Sequence, residues 1–98
     1  MPFTIQITPA ARDHLKALSK RDQQIIVDAI RAQLTDRADQ PTRNRKRLSD
    51  NPLAPWELRI GVFRVFYDII AVNQRVIVVA VGQKTHNVLR IGGDEVQL

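Results

Sequence analysis

A chain of 98 residues with a net charge of +5, 44% apolar residues and no cysteine excludes a disulfide-framed scaffold and a thiolate metal site. The N-terminal Met1-Pro2-Phe3-Thr4-Ile5-Gln6 lacks the basic-then-apolar order of a signal peptide, and no apolar run reaches the length of a membrane span. One domain over residues 1–98 is expected, in the cytoplasm, with a positive balance that favours polyanionic partners: nucleic acid, a ribosome or an acidic protein.

Phe3-Thr4-Ile5-Gln6-Ile7 alternates apolar and polar residues and predicts a short first strand. Thr8-Pro9 starts a helix, with threonine as cap and proline at the first helical position, where a missing N–H costs nothing. This helix runs to about Leu18 on an apolar stripe of Ala11, Leu15 and Leu18. His14 falls at the stripe's edge and reads as an ordinary, partly exposed histidine. Ser19, with Asp22 three residues later, marks a break and a new cap. The second helix extends to Leu34 or Arg37, with Ile26, Ala29, Ile30, Gln33 and Leu34 on one face and Ile25 at its flank. Two short helices joined by a tight turn suit the cover of one sheet face.

From Thr35 to Pro55 the periodicity stops. Arg43-Asn44-Arg45-Lys46-Arg47 places four cations in five residues, and Ser49-Asp50-Asn51-Pro52-Leu53-Ala54-Pro55 is rich in turn formers. So long a connection in so small a domain is uncommon and often functional. A solvated loop is one reading of the cluster; a surface for backbone phosphates is the sharper one, because the loop leads into a second cationic feature.

That feature is a hairpin. Trp56, Leu58 and Ile60 alternate with Glu57 and Arg59, Gly61-Val62 suits a two-residue type II′ turn, and Phe63 to Ile70 returns. The turn sets Arg59 directly opposite Arg64, a like-charge pairing that destabilises a sheet by up to about 1 kcal/mol. Such a pair is either neutralised internally or held for an anion. Asn73-Gln74 marks the next turn. Arg75 to Gly82 is apolar on both faces and predicts a central strand. A two-residue loop there pairs 64 with 83 and a three-residue loop pairs 64 with 84, so Lys84 comes near the arginines. Val88 to Ile91 forms a last short strand, Gly92-Gly93 a turn, and Asp94 and Glu95 follow.

No metal constellation, phosphate-binding glycine loop or nucleophile turn is visible, and no cofactor is expected. The cationic face of Arg59, Arg64 and Lys84, with Glu57 and Asp68 beside it, suits three roles. It can be an internal ion-pair network or a plain anion site. It can also serve RNA cleavage by 2′-hydroxyl attack, which needs cations on the phosphate and groups to take and give a proton. Glu57 and His86 are the candidates for proton transfer.

The order strand, two helices, basic loop, arginine hairpin and apolar strand resembles the RelE/ParE superfamily of bacterial toxin–antitoxin toxins. The resemblance is carried by Arg43-Asn44-Arg45-Lys46-Arg47-Leu48, Trp56-Glu57-Leu58-Arg59-Ile60-Gly61, Phe63-Arg64-Val65-Phe66-Tyr67-Asp68-Ile69 and Val79-Ala80-Val81-Gly82-Gln83-Lys84. It implies an α+β fold in which an N-terminal strand and a two-helix hairpin pack on an antiparallel sheet of about four strands. It further implies an antitoxin whose C-terminal segment wraps the toxin, with DNA contacted only indirectly through that antitoxin and no membrane involved. RelE-like members bind the ribosome and cut mRNA without a metal, inhibiting translation; ParE-like members poison DNA gyrase. By position, Arg64 matches the hairpin arginine that contacts the scissile phosphate, and Lys84 the basic residue after the last core strand. Arg45, Lys46 and Arg47, preceded by Arg43, match the basic region facing RNA, and His86 stands where some relatives carry a late histidine. Pro55 and Glu57 stand where RelE itself has lysines. A ribosome-dependent mRNA endoribonuclease is the expectation, with a gyrase inhibitor and a non-toxic RNA-binding module as alternatives.

Overall fold

The computed structural model describes residues 2–49 and 51–96. Met1, Asp50 of the expected turn-rich stretch, and the tail residues Gln97 and Leu98 lie outside the described residues. Strand β1 (Thr4–Ile7) leads through Thr8 into helix α1 (Pro9–Lys16), and helix α2 (Lys20–Leu34) follows after a short turn. Strands β2 (Arg45–Arg47), β3 (Trp56–Ile60), β4 (Phe63–Ile70), β5 (Arg75–Thr85), β6 (Val88–Ile91) and β7 (Asp94–Val96) complete the chain. The helix starts are those the caps predict: the Thr8 hydroxyl accepts the Ala11 N–H at 3.2 Å, and the Ser19 hydroxyl accepts the Asp22 N–H at 3.1 Å. α1 stops at Lys16, about two residues short of the expected Leu18.

The sheet has seven strands rather than about four, in the order β2-β3-β4-β5-β6-β7, with β1 on β5 as well. β1 runs parallel to β5, and the other pairings are antiparallel. The additional strands are short. β2 forms within the basic cluster, where the charge pattern hides any alternation, and β7 is closed onto β6 by Gly92 and Gly93, both at positive φ (60° and 87°).

The β4–β5 connection is longer than expected. Ala71–Asn73 makes a 3₁₀ turn and Gln74 sits in the left-handed region at φ 53°. The register then slips: Tyr67 pairs with Val78 but Phe66 with Ala80, leaving Val79 as an extra bulge residue. Arg64 therefore pairs with Gly82, not with 83 or 84. The bulge also puts both Val78 and Val81 into the core beneath the helices, while Val79 and Ala80 pack on the opposite face.

β5 has β1 along its first half and β6 along its second, which leaves Val79 to Val81 without a strand partner on that edge. Thr8 and His14 fill the gap. The Thr8 N–H and hydroxyl donate to the Val78 and Val79 carbonyls at 3.1 and 3.4 Å, and the Val81 N–H donates to His14 Nδ1 at 3.3 Å. His14 thus satisfies a backbone group that would otherwise be unpaired in the interior.

One sheet face is closed by the helices. Ala11, Leu15, Ile26, Ile30 and Leu34 pack on Trp56, Leu58, Val65, Tyr67, Val76 and Val78. Trp56 and Tyr67 stack across β3 and β4 with centroids 5.9 Å apart, and the Tyr67 hydroxyl donates to the Ala38 carbonyl at 2.8 Å. That bond ties the segment after α2 to the sheet. The opposite face carries a smaller cluster, Ala54, Phe66, Ala80 and Leu89, rimmed by Leu48, Leu53, Ile91 and Val96. Helices do not cover it, and the polar site lies there.

Candidate functional site

The hairpin forms as its local sequence dictates. Gly61 takes φ 58°, the first position of the tight turn, and Ile60 pairs with Phe63, Arg59 with Arg64, Leu58 with Val65 and Glu57 with Phe66. Alternation sends Leu58 and Val65 under the helices and Glu57, Arg59 and Arg64 to the open face. Two arginines there meet one carboxylate. Glu57 Oε1 lies 3.0 Å from Arg59 Nε and 3.4 Å from Arg64 Nε.

The two contacts are not equivalent. The side chains of Glu57 and Arg64 are 13% and 14% exposed, whereas that of Arg59 is 42% exposed and its ion pair is screened by solvent. Arg64 Nη1 donates to the Gly61 and Phe63 carbonyls at 2.7 and 2.9 Å, fastening the guanidinium to the turn. Arg64 Nε is buried without a hydrogen bond, close enough to Glu57 for charge attraction but not aligned with it. Burial pulls the Arg64 pKa below the ordinary arginine value, Glu57 opposes that, and the neighbouring Arg59 charge adds to the lowering. The guanidinium is thus a desolvated cation with an incompletely satisfied donor.

Beside this group opens a cavity of about 430 Å³, lined by Glu57, Arg64, Phe66, Lys84, Leu89 and Glu95 among others. Lys84 pairs with Leu89 in β6, and its N–H donates to the Val62 carbonyl at 2.7 Å, which seats the turn of one hairpin against the start of the next. An apolar floor with two cations and two carboxylates on its walls can take an anion with an apolar neighbour attached. Phe66 shares Arg64's face by simple alternation; Glu95 enters only because β7 folds back, an event the Gly92-Gly93 pair between short alternating segments signals.

The other candidate residues separate. His86 occupies the β5–β6 turn with Asn87, at φ 52° and 64°; it is exposed and does not line the cavity, whereas Asn87 does. Asp68 caps its own neighbour, accepting the Ile69 N–H at 2.7 Å.

The basic cluster divides by strand alternation. Lys46 pairs with Glu57 and so shares the open face with the arginines. Arg45 pairs with Leu58 and is only 4% exposed, donating to the Gln33 side chain and to the Gln33 and Gln40 carbonyls. It is a pin between β2 and α2, not a free phosphate contact as expected. Arg47 lies over the Trp56 ring at 5.7 Å and remains exposed, as does Arg43. Among the described residues no three histidines or carboxylates gather into a metal-sized group, and no helix is long and apolar enough to cross a membrane.

Two helices on one face of a mostly antiparallel sheet, with a cationic hairpin on the other, define the small α+β architecture of RelE/ParE-like toxins. The family model described as the ParE toxin of the type II toxin–antitoxin system parDE matches residues 5–88, and the chain belongs to that family. Three chains among solved structures match. One, from the crystal structure of the toxin–antitoxin complex RelBE2 of Mycobacterium tuberculosis, is 25% identical with a TM-score of 0.70, over 86% of this chain and 100% of that one. No match was found among curated proteins.

Proposed function

We propose that this toxin cuts translated mRNA on the ribosome, holding the scissile phosphate at the cavity between Arg64 and Lys84. The observation that carries the reading is the convergence of those two cations on one cavity of the open face, where the desolvated Arg64 guanidinium keeps a spare donor. In that reaction the 2′-oxygen attacks phosphorus and the bond to the 5′-oxygen breaks. One proton leaves the 2′-hydroxyl, another reaches the departing oxygen, and the products are a 2′,3′-cyclic phosphate and a 5′-hydroxyl. Arg64 and Lys84 stabilise the charge that develops on the phosphate oxygens. Glu57 is the better placed of the two proton-transfer candidates, because it lines the cavity and His86 does not. Arg59 and Lys46 extend the cationic track along the open face.

A second reading, inhibition of DNA gyrase without chemistry, is favoured by the match to the ParE family and by the engagement of Glu57 with both arginines. In either case the partner that restrains the toxin is an antitoxin, as the matched RelBE2 complex suggests. An antitoxin segment with acidic and apolar residues complements this cavity.

Expression of the chain alone in bacteria, with transcriptome-wide mapping of 5′ ends, separates the readings. Codon-phased cuts confined to translated messages are expected. Growth arrest with DNA breaks and intact mRNA would replace the first reading by the second.

A further inference from the structure

We propose that Glu57 is a built-in counterion that occupies the anion seat of the arginine hairpin, so that a nucleic-acid phosphate binds by displacing it. The inference rests on the reading of the open face as a phosphate site, and it assigns Glu57 a role in setting affinity distinct from proton transfer.

Three observations carry it. First, one oxygen of Glu57 lies within ion-pair distance of both Nε atoms, in the position a bridging phosphate oxygen would take between them. Second, the fit is poor at the more buried arginine: the 3.4 Å approach leaves Arg64 Nε without a hydrogen bond, although its Nη1 is fully engaged by the turn. An anion free of the Glu57 backbone can align with that donor; the tethered carboxylate does not. Third, the carboxylate stands on the same cavity as Lys84, so the site already contains an entrance for its competitor. In the free protein the carboxylate offsets repulsion between Arg59 and Arg64, which face each other across the hairpin. The sheet is thereby stabilised at the expense of anion affinity.

The test is a thermodynamic cycle on binding of a fluorescein-labelled single-stranded RNA dodecamer at low salt, read by anisotropy. Glu57→Gln keeps the shape and removes the charge, and it should tighten binding by about 3–10-fold, the effect of removing one nearby partly shielded charge. In an Arg64→Gln background the same substitution should change affinity by less than about twofold, because only the solvent-screened Arg59 half of the seat remains. Glu57→Asp retains the net charge but withdraws the carboxylate, and it should also tighten binding; this variant carries the test if Glu57→Gln does not fold. An equal gain from Glu57→Gln with and without Arg64 would reduce the effect to bulk charge and overturn the proposal, as would unchanged or weaker binding by both Glu57 variants. If Arg64→Gln alone leaves RNA affinity untouched, the phosphate reading itself fails. If Arg64→Gln weakens binding while neither Glu57 variant strengthens it, only the counterion role fails.

Discussion

Arg59 and Arg64 face each other across the β3–β4 hairpin, yet only Arg64 is shielded from solvent and fastened to the turn carbonyls. The difference ranks them. Arg64→Ala should abolish growth arrest when the toxin is expressed alone, and Arg59→Ala should only weaken it. Arg64→Ala forfeits its bonds to the turn but also removes a like-charge pair, so stability should change by no more than about 1 kcal/mol. Growth curves and a thermal melt check both statements. A fully toxic Arg64→Ala protein would remove the anion site from consideration, and an unfolded one would make the arginine structural.

Arg45 and Lys46 are sequence neighbours with opposite fates, and mutation should separate them. Arg45→Ala leaves the Gln33 and Gln40 carbonyls without their buried donor and should cost about 2–4 kcal/mol in urea unfolding. Lys46→Ala should leave the unfolding midpoint unchanged while reducing the salt dependence of RNA binding. Equal midpoints for the two variants would contradict the inward placement of Arg45.

Tyr67 is the only tyrosine, so phenolate absorbance reports it alone. Burial raises its pKa well above the ordinary value of about 10, and the Asp39 charge adds to this while Arg45 opposes it. The folded pKa lies above the unfolded one. The corresponding stability is therefore fully present below about pH 10 and is lost as pH climbs toward the folded value, at up to about 1.4 kcal/mol per pH unit. Titration should show no phenolate until the protein unfolds, and ionisation near pH 10 in denaturant. A normal titration in the native protein would mean that the hydroxyl is not held on the Ala38 carbonyl. Tyr67→Phe should cost about 1–2 kcal/mol for the same reason.

Gly82 is opposite Arg64, and the backbone of β6 presses against it. A Cβ there would sit 2.8 Å from the Arg90 carbonyl oxygen and 2.8 Å from Ile91 Cγ1. Gly82→Ala should cost about 1–3 kcal/mol through displacement of β6. Amide exchange should quicken in β6 and β7 and stay slow in β3. Unchanged exchange in β6 would show that the contact relaxes without strain.

Much of this molecule is local. The Thr8-Pro9 and Ser19 caps, the Gly61-Val62 turn and the alternation of residues 56–60 each act through neighbours a few positions away. For that reason the opposition of Arg59 and Arg64 follows from the chain alone: a two-residue turn leaves only one register. The pairing of Arg64 with β5 does not follow in this way. It depends on a 3₁₀ connection and on a bulge at Val79, and both are set by how the valines of β5 divide between two faces. His14 presents a similar case, since its role arises from a gap between β1 and β6 on the far strand.

The sequence by itself determined the two-helix and hairpin plan, the positive charge and the meeting of two arginines. Tertiary structure decided what those charges can do. It turned Arg45 inward because alternation from its pairing with Leu58 points it at α2, and it left Lys46 outward. It moved His86 to a hairpin tip and folded β7 back to bring Glu95 to the cavity. It placed Glu57 between Arg59 and Arg64 at unequal distances. Periodicity specifies the face on which a side chain emerges; the distances and desolvation that set its charge interactions come from segments far apart in the chain.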